Sequence, residues 1–386
     1  MPTYPTYKLS EITRSTKGKK PKSVSKEKTD GFEIPYVDIK AFEKGIVDNY
    51  TDGENCTFCK PDDVLIVWDG ARCGFVGRGV EGAIGSTLAK ISSDKYTNDF
   101  LFYFLQSKYK VLNSNPRGVG IPHIEPNLLW NFEIPDVDKN TQRAIVTRIE
   151  TLFAELDKAV QHLRTAQQQL KTYRQAVLKA AFEKCDSYEK ITNCFDVTGG
   201  LTKNSQREKF PIKMPYLRVA NVYYNRLDLS EIKEIGVQES EIKDKLLKKD
   251  DLLFVEGNGS KEQIGRVAVW DGSIENCLHQ NHIIKGRPLG TMLSKFALYY
   301  FISDFGREQI LKVASSTSGL YTLSTEKVRN LKVPSCSLAE QQRIVAEIES
   351  RLSQATASET CIENALQQAE ALRQSILKKA FSGELV

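Results

Sequence analysis

The sequence lacks the features that mark several large classes of protein. No apolar run among its 386 residues approaches the roughly 18 residues that cross a bilayer. The first twenty residues are polar and basic, without the apolar core of a secretory signal. The eight cysteines are scattered and form no disulfide framework, so free thiols in a reducing compartment are expected. These absences predict a cytoplasmic protein without a membrane partner.

A strong charge bias is also lacking. The chain has 54 basic and 49 acidic residues, and its net charge of +5 is compatible with nucleic-acid binding but too small to indicate it. Hydrophobic residues make up 40% and charged residues 27% of the sequence, so packed cores are expected. The length predicts two or three domains.

Motifs that carry chemistry are scarce. Residues 77–82 fit a G-x-G-x-x-G pattern, but no apolar strand leads directly into them and no helix is predicted to follow. The sequence contains no Walker lysine motif and no Asn/Asp-Pro-Pro-Tyr/Phe run of an adenine methyltransferase. Cys56 and Cys59 form half a zinc site, while His279 and His282 lie in another domain. We therefore predict no metal site, no cofactor held by this chain and no catalytic residues.

What the sequence does contain is a long internal repeat. Residues 131–182 align without a gap with residues 330–381 at an offset of 199, and 16 of 52 positions are identical. Chance would give only a few identities, so the chain is a duplication. The identical pairs include Pro135/Pro334, Gln142/Gln341, Glu150/Glu349, Arg174/Arg373 and Phe182/Phe381. The segments before each copy are only weakly similar, which predicts a variable domain followed by a constant segment, twice.

Both constant segments predict long helices with a coiled-coil seam. Residues 140–182 contain no Gly or Pro and are rich in helix formers, which gives a helix about 65 Å long. Apolar residues recur at alternating spacings of four and three. The predicted coiled-coil and partner-docking positions are Ile145, Ile149, Leu152, Leu156, Leu163, Leu170 and Val177 in the first helix, and Ile344, Ile348, Ile362, Leu372 and Ile376 in the second.

Chain direction limits how these helices can pair. The first helix leads away from the first domain and the second begins at the second domain, so paired helices must be antiparallel. The alternative is that each helix packs only on its own domain. Apolar runs at residues 63–69 and 252–257 predict strands, and aromatic runs at 100–106 and 296–303 predict helices.

These patterns together predict the fold class. We expect two copies of an α/β (α+β) globular domain, separated by a pair of long antiparallel coiled-coil helices, with a pseudo-twofold internal repeat. The predicted boundaries are a first domain at 1–138, a first helix at 139–184, a second domain at 185–336 and a second helix at 337–386.

The repeated segments resemble the specificity subunits of type I restriction-modification systems. The resemblance covers the whole chain and is most specific at Ile134-Pro135 with residues 142–150, at Val333-Pro334 with residues 340–345, and in the tail at residues 376–385. It implies that each variable domain is a target recognition domain reading one half of a bipartite, asymmetric double-stranded DNA sequence. It also implies that the helices set the gap between the halves and dock two modification (methyltransferase) subunits, which restriction (endonuclease/translocase) subunits join. AdoMet, ATP and Mg²⁺ would then belong to those partners.

Candidate DNA-binding residues follow from side-chain chemistry. Arg and Lys pair well with guanine or phosphate, and Asn pairs well with adenine. The candidates are Lys17, Lys19, Lys20, Arg72, Arg78 and Arg117 in the first domain, and Lys203, Asn204, Arg207, Arg218, Asn221, Asn258 and Lys261 in the second. Two other functions stay open on the residues alone: a stand-alone DNA methyltransferase or nuclease, and a coiled-coil adaptor between proteins without a DNA role.

Overall fold

The computed structural model describes residues 4–118, 120–317 and 319–385. The chain divides into two compact units: unit 1 comprises Met1–Arg164 and Glu363–Val386, and unit 2 comprises Thr165–Ile362. Each unit therefore contains one α/β domain and a part of each long helix, whereas the sequence predicted the helices as separate segments. The predicted ranges 1–138 and 337–386 also include residues 1–3 and 386, which lie outside the described residues.

The first α/β domain and the helix that follows it occupy the N-terminal half of the chain. Its strands are β1 (Thr6–Lys8), β2 (Arg14–Lys17), β3 (Val24–Ser25), β4 (Ile34–Val37), β5 (Tyr50–Thr51), β6 (Thr57–Cys59), β7 (Val64–Val67), β8 (Val76–Arg78), β9 (Gly82–Ile84), β10 (Leu88–Ser92) and β11 (Glu133–Pro135). Its helices are α1 (Leu9–Ile12), α2 (Ile39–Lys44), α3 (Asn98–Ser114) and α4 (Pro126–Trp130), and the long helix α5 (Lys139–Phe182) follows.

The second α/β domain follows the same plan. Its strands are β12 (Tyr188–Lys190), β13 (Phe195–Gly199), β14 (Ile212–Leu217), β15 (Val222–Tyr223), β16 (Arg226–Leu227), β17 (Lys233–Val237), β18 (Leu252–Val255), β19 (Gly257–Asn258), β20 (Val267–Val269), β21 (Leu278–His279), β22 (Ile283–Pro288), β23 (Ser315–Thr317), β24 (Leu320–Thr322) and β25 (Lys332–Pro334). Its helices are α6 (Glu239–Lys245), α7 (Ser294–Ile302), α8 (Asp304–Val313) and α9 (Thr325–Arg329), and the long helix α10 (Leu338–Ser382) follows. Short 3-10 helices lie at Ile191–Asn193, Ser205–Lys209 and Val219–Asn221.

Matching sheets show that the two domains are copies. A four-stranded antiparallel sheet has the order β2-β10-β7-β8 in unit 1 and β13-β22-β18-β20 in unit 2. Its central strands, β7 and β18, are fully buried, as their continuous apolar sequence predicts. In each domain the first strand pairs with the last, β1 with β11 and β12 with β25. The aromatic runs form α3 and α7, as predicted.

Side-chain caps and docking bonds fix where the long helices begin. The carboxylate of Asp138 accepts hydrogen bonds from the backbone amides of Thr141 and Asn140, which lower the pKa of Asp138. Ser337 stands at the equivalent position and accepts from the amide of Glu340 at 3.3 Å. Since both caps precede their helices by one residue, the duplicated sequence starts both helices at matching places.

The repeated glutamines attach each helix start to its domain. Oε1 of Gln142 accepts a hydrogen bond from the amide of Thr97 at 2.9 Å, and its Nε2 donates to backbone carbonyls. Oε1 of Gln341 accepts from the amide of Leu293 at 2.8 Å, and its Nε2 likewise donates to backbone carbonyls. Both glutamines are 1% exposed. The identity of these positions in the repeat therefore has a structural cause.

In unit 1 the early part of α5 packs against the late part of α10. Ile145 and Ile149 share a buried core with Ile376 and Phe381, and the ring of Phe381 lies edge-on to the ring of Phe100. Farther along α5, the Asp157 carboxylate pairs with Arg373. Contacts move forward along one helix as they move backward along the other, so the helices are antiparallel in this unit.

Unit 2 repeats the arrangement with the roles of the helices exchanged. Val177 and Phe182 share a core with Ile344 and Ile348, and Phe182 packs on α7. Arg174 donates 2.9 Å hydrogen bonds to Thr356 and Glu359. The predicted α/β domains and antiparallel helix pair are thus confirmed. The alternative that a helix packs only on its own domain is wrong, because each helix contacts both a domain and the other helix.

One predicted seam position lies outside the seam. Leu372 is 51% exposed, and the face of α10 toward α5 carries Ala369, Arg373 and Ile376. The guanidinium carbon of Arg373 lies 4.3 Å from the ring centroid of Phe153 on α5. Near a helix end the buried face must also meet the α/β domain, so it turns away from the strict heptad line. The other predicted positions are buried or half-buried: Ile145, Ile149, Leu152, Leu156, Leu163, Leu170, Val177, Ile344, Ile348, Ile362 and Ile376.

Candidate nucleic-acid interface

In unit 1, the basic run near the N-terminus lies along a sheet and not in a free loop. Lys17 ends β2, and the amides of Gly18 and Lys19 donate to the carbonyls of Leu88 and Ile84. A side chain at Gly18 would collide with the backbone of Gly85. The backbone is held close to the sheet, so Lys19 and the next candidate, Lys20, project exposed side chains from a fixed position.

A cluster of polar groups stands where the central strand β7 ends. The Asp69 carboxylate lies 2.9 Å from Nζ of Lys17 and 2.6 Å from Nδ1 of His123. Burial alone would raise the pKa of Asp69, but the hydrogen bonds from His123 and Lys17 outweigh it and lower that pKa. Nζ of Lys17 also lies 6.0 Å from the ring centroid of Trp68. This cluster places cationic and aromatic groups together at one edge of the sheet.

The arginine candidates of unit 1 differ in their freedom. Arg72 pairs with Glu43 at 2.8 Å and stacks on a phenylalanine ring. Arg78 pairs with Asp99 and also lies over an aromatic ring. Arg117 is exposed, and its backbone pairs with that of His123. Arg117 is therefore the candidate of the three whose side chain extends into solvent without a described ion pair.

In unit 2, three candidates serve the fold. Asn221 is 3% exposed, accepts a hydrogen bond from the amide of Arg218 and donates to two backbone carbonyls. Arg207 makes a two-bond pair with Glu241 and donates to backbone carbonyls. Arg218 pairs with Glu231 at 3.0 Å. Because its amide is fully engaged, Asn221 offers no free group to a base, and either arginine would have to leave its carboxylate first.

The remaining unit 2 candidates are better placed to meet DNA. Lys203 and Lys261 are exposed. Asn204 is exposed but caps the short helix at Ser205–Lys209. Asn258, in β19, is half-buried and accepts from the amide of Ser260 at 2.9 Å. Lys203 and Lys261 are therefore available for DNA contacts on this domain. Asn204 and Asn258 can offer only the side-chain groups that these backbone hydrogen bonds do not occupy.

Several groups of the same chemistry lie outside the predicted candidates. The guanidinium groups of Arg226 and Arg266 lie 4.5 Å and 4.9 Å from the ring centroid of Tyr223. His282 holds the Glu256 carboxylate at 2.7 Å, as His123 holds Asp69 in unit 1. Residues that are distant in sequence form each of these sets, so spacing alone gives no signal for them.

The half zinc motifs fall in ordinary structural surroundings. Sγ of Cys59 is buried and lies 2.7 Å from the carbonyl oxygen of Val80, and burial raises the pKa of this thiol to about 11. His279 is fully buried in β21. Among the described residues, no group of three or more His, Cys, Asp or Glu side chains could hold a metal ion. No helix in the described part of the chain is long and apolar enough to cross a membrane.

The fold defines a class of protein with two homologous α/β domains, each followed by one helix of an antiparallel pair. The chain belongs to the type I restriction modification DNA specificity domain family, whose model matches residues 1–163 and 188–368. It is therefore a DNA-recognition subunit and not a catalytic one, as the sequence predicted, and the enzyme and adaptor alternatives are not supported.

Curated relatives and solved structures agree with this assignment. The specificity subunit of the type I restriction enzyme EcoKI from Escherichia coli K12 is 27% identical over 84% of this chain and 75% of its own length. The MjaVIII specificity subunit from Methanocaldococcus jannaschii is 24% identical over 89% of this chain and 84% of its own. A chain from a type I R-M system and the HsdS subunit of Thermoanaerobacter tengcongensis share the fold. Their TM-scores are 0.74 and 0.60, both at 19% identity, and the alignments cover all of this chain and 99% and 98% of theirs.

Proposed function

We propose that each α/β domain reads one half of a bipartite, asymmetric DNA sequence, and that the helix pair sets the gap between the halves. The observation that carries this proposal is the duplication of the domain in structure together with its divergence in surface side chains. Unit 1 offers Lys19, Lys20 and Arg117, whereas unit 2 offers Lys203 and Lys261. Unlike side chains on a like scaffold read unlike bases.

The partners in this proposal are those of a type I restriction-modification complex. Two modification subunits dock on the helices, and restriction subunits complete the assembly. The repeat supports two equivalent docking sites, because Tyr173 and Leu372 occupy the same repeat position and are both exposed apolar residues, at 40% and 51%. AdoMet, ATP and Mg²⁺ belong to the partner subunits, and the complex works in the cytoplasm.

Methylome sequencing of a host that carries this chain with its modification subunits tests the proposal. We expect one methylated motif with two specified halves and an unspecified gap. Exchanging residues 188–334 for those of another family member should change one half and leave the other half and the gap unchanged. This range carries both strands of the β12–β25 pair, so the graft keeps that pair intact.

Two outcomes would contradict the proposal. If the exchange altered both halves together, the domains would not read independently. If the purified chain alone methylated or cleaved DNA, the chemistry would not belong to partners.

A further inference from the structure

Each domain carries a small hairpin that follows its aromatic helices. In unit 1 the backbones of Arg117 and His123 pair with each other, and His123 also pairs with Asp69. In unit 2 the hairpin is formed by β23 and β24, and β24 pairs with β19. Both hairpins therefore extend the segment that directly follows the buried central strand, β7 or β18.

The hairpins belong to the internal repeat. The offset of 199 that relates Asn131 to Asn330 also relates Gly120 to Gly319 and Ile121 to Leu320. The flanking positions have diverged: Pro122 matches Tyr321 and His123 matches Thr322. A glycine followed by a branched apolar residue is thus what the two tips have kept in common.

The retained apolar side chains point into solvent. Ile121 is 63% exposed and Leu320 is 47% exposed. A side chain built at Gly120 or Gly319 would meet nothing within 4 Å, so both glycines stand clear of their domains. Three positions after each exposed residue, Ile124 and Leu323 are buried and fix the base of the hairpin in the core. Each tip is therefore an apolar projection on a firm base.

Polar groups surround the base of each projection. In unit 1 these are the exposed Arg117 and the Lys17–Asp69–His123 cluster. In unit 2, the Glu256 backbone carbonyl accepts from the amide of Leu323, and the Glu256 carboxylate holds His282. An apolar side chain flanked by hydrogen-bonding groups, which in unit 1 include cationic ones, matches a duplex, in which apolar base faces lie between polar edges and phosphates.

The size and repetition of the tips favour DNA over a protein partner. A stable protein interface buries about 800 Å² on each side, far more than one side chain on a narrow hairpin supplies. A single apolar side chain is enough to enter a base step. The two domains differ in their candidate base-contacting residues but share the exposed apolar residue of the hairpin. The role of this residue therefore does not depend on the DNA sequence.

We propose that each hairpin inserts its exposed apolar residue, Ile121 or Leu320, between bases of the bound duplex as a sequence-independent wedge. The inference rests on the proposed function, because it requires that both domains bind DNA. The wedge adds affinity and unstacks a base step, while other side chains read the sequence.

The test uses the complex of the full chain with its modification subunits. Ile121→Ala and Leu320→Ala are compared with Ile46→Ala and Leu289→Ala, which truncate apolar residues of similar exposure, 47% and 56%, away from the hairpins. DNA affinity is measured by fluorescence anisotropy on target and non-target duplexes. Unstacking is measured with 2-aminopurine placed at successive positions of each half-site.

We expect each hairpin variant to weaken binding of target and non-target DNA by about tenfold. Each should also lose the 2-aminopurine signal in one half, and its methylated motif should stay the same. Ile121→Leu and Leu320→Ile should restore binding, and the control variants should match wild type.

Three results would overturn the inference. Hairpin variants that bind and unstack DNA like wild type would show that the tips are idle. Variants that no longer assemble with the modification subunits in gel filtration would make the tips protein contacts. Variants that change the methylated motif would make them base readers. Failure of the proposed function is separate, since the wild-type complex would then show no preference for any bipartite target.

Discussion

At the scale of single residues, unit 2 buries two bases close to each other. Nδ1 of His279 lies 2.9 Å from the carbonyl oxygen of Ile283, and its Nε2 has no hydrogen-bond partner among the described residues. Burial, and then the charge of Lys285, lower the pKa of His279 to about 3. Burial, and then the charge of Arg287, lower the pKa of Lys285 to about 8. Protonation of either side chain therefore destabilises the folded state of unit 2.

The stability of unit 2 should fall as the pH drops below the ordinary histidine value of 6.5. Unfolded chains then bind a proton at His279 that the folded unit does not bind until about pH 3. The folding free energy lost is at most about 1.4 kcal/mol per pH unit. In His279→Asn, whose amide can still donate to Ile283, the dependence between pH 6.5 and 4 should be shallower.

Urea unfolding at several pH values measures this pH dependence of stability. The unfolding is monitored by the fluorescence of Trp270, in chains whose other two tryptophans are changed to phenylalanine. His162→Asn removes an exposed histidine and serves as the control. Equal pH slopes in the His279 variant and the unaltered chain would show that this histidine is not buried in its neutral form.

Residue roles were the least predictable from the sequence. Arg207 and Arg218 have the composition of DNA-binding residues, yet their carboxylate partners Glu241 and Glu231 occupy them. Those partners lie 34 and 13 positions away, and only the folded sheet brings them together. In the sequence, a basic residue that faces DNA cannot be told from one that pairs with a carboxylate of the same domain.

At the scale of elements, each long helix is anchored by one buried glutamine. Gln341→Ala removes hydrogen bonds to Leu293, Thr291 and Cys336 and leaves the partly buried amide of Leu293 without its partner. We expect unit 2 to lose about 2–4 kcal/mol of stability. Gln342→Ala, at the exposed neighbouring position, should change stability by less than about 0.5 kcal/mol. Urea unfolding compares the two, and similar losses in both would exclude the anchoring role.

Elements were predictable where one periodicity dominates. The central strands, the aromatic helices and both long helices are found where their patterns predict them. The glycine-rich segment at residues 69–85, which includes the G-x-G-x-x-G pattern, contains β8 and β9. Its glycines interrupt the apolar pattern of these strands, so the sequence alone does not predict them. A side chain at Gly77 would collide with the ring of Phe42. Glycine there serves close packing, not a dinucleotide loop.

At the scale of the whole molecule, the helix pair should act as a spacer. Inserting one heptad near Leu163 and one near Leu366 lengthens both helices and keeps the apolar register. We expect the methylated motif to keep both halves and gain unspecified bases between them. Methylome sequencing gives both quantities, and a single insertion near Leu163 serves as the control because it shifts one helix past the other. Altered half-sequences with an unchanged gap would refute the spacer role.

The pairing of β12 with β25 has a consequence for how new variants arise. These strands are the first and last of the second domain, and adjacent strands lie about 4.8 Å apart. The polypeptide thus enters the domain from α5 and leaves it toward α10 through two adjacent strands. A recombination event with crossovers just outside these two strands replaces the whole second domain and leaves α5 and α10 intact. Genetic exchange can therefore change the DNA sequence that the protein recognises without altering the helices that carry the domain.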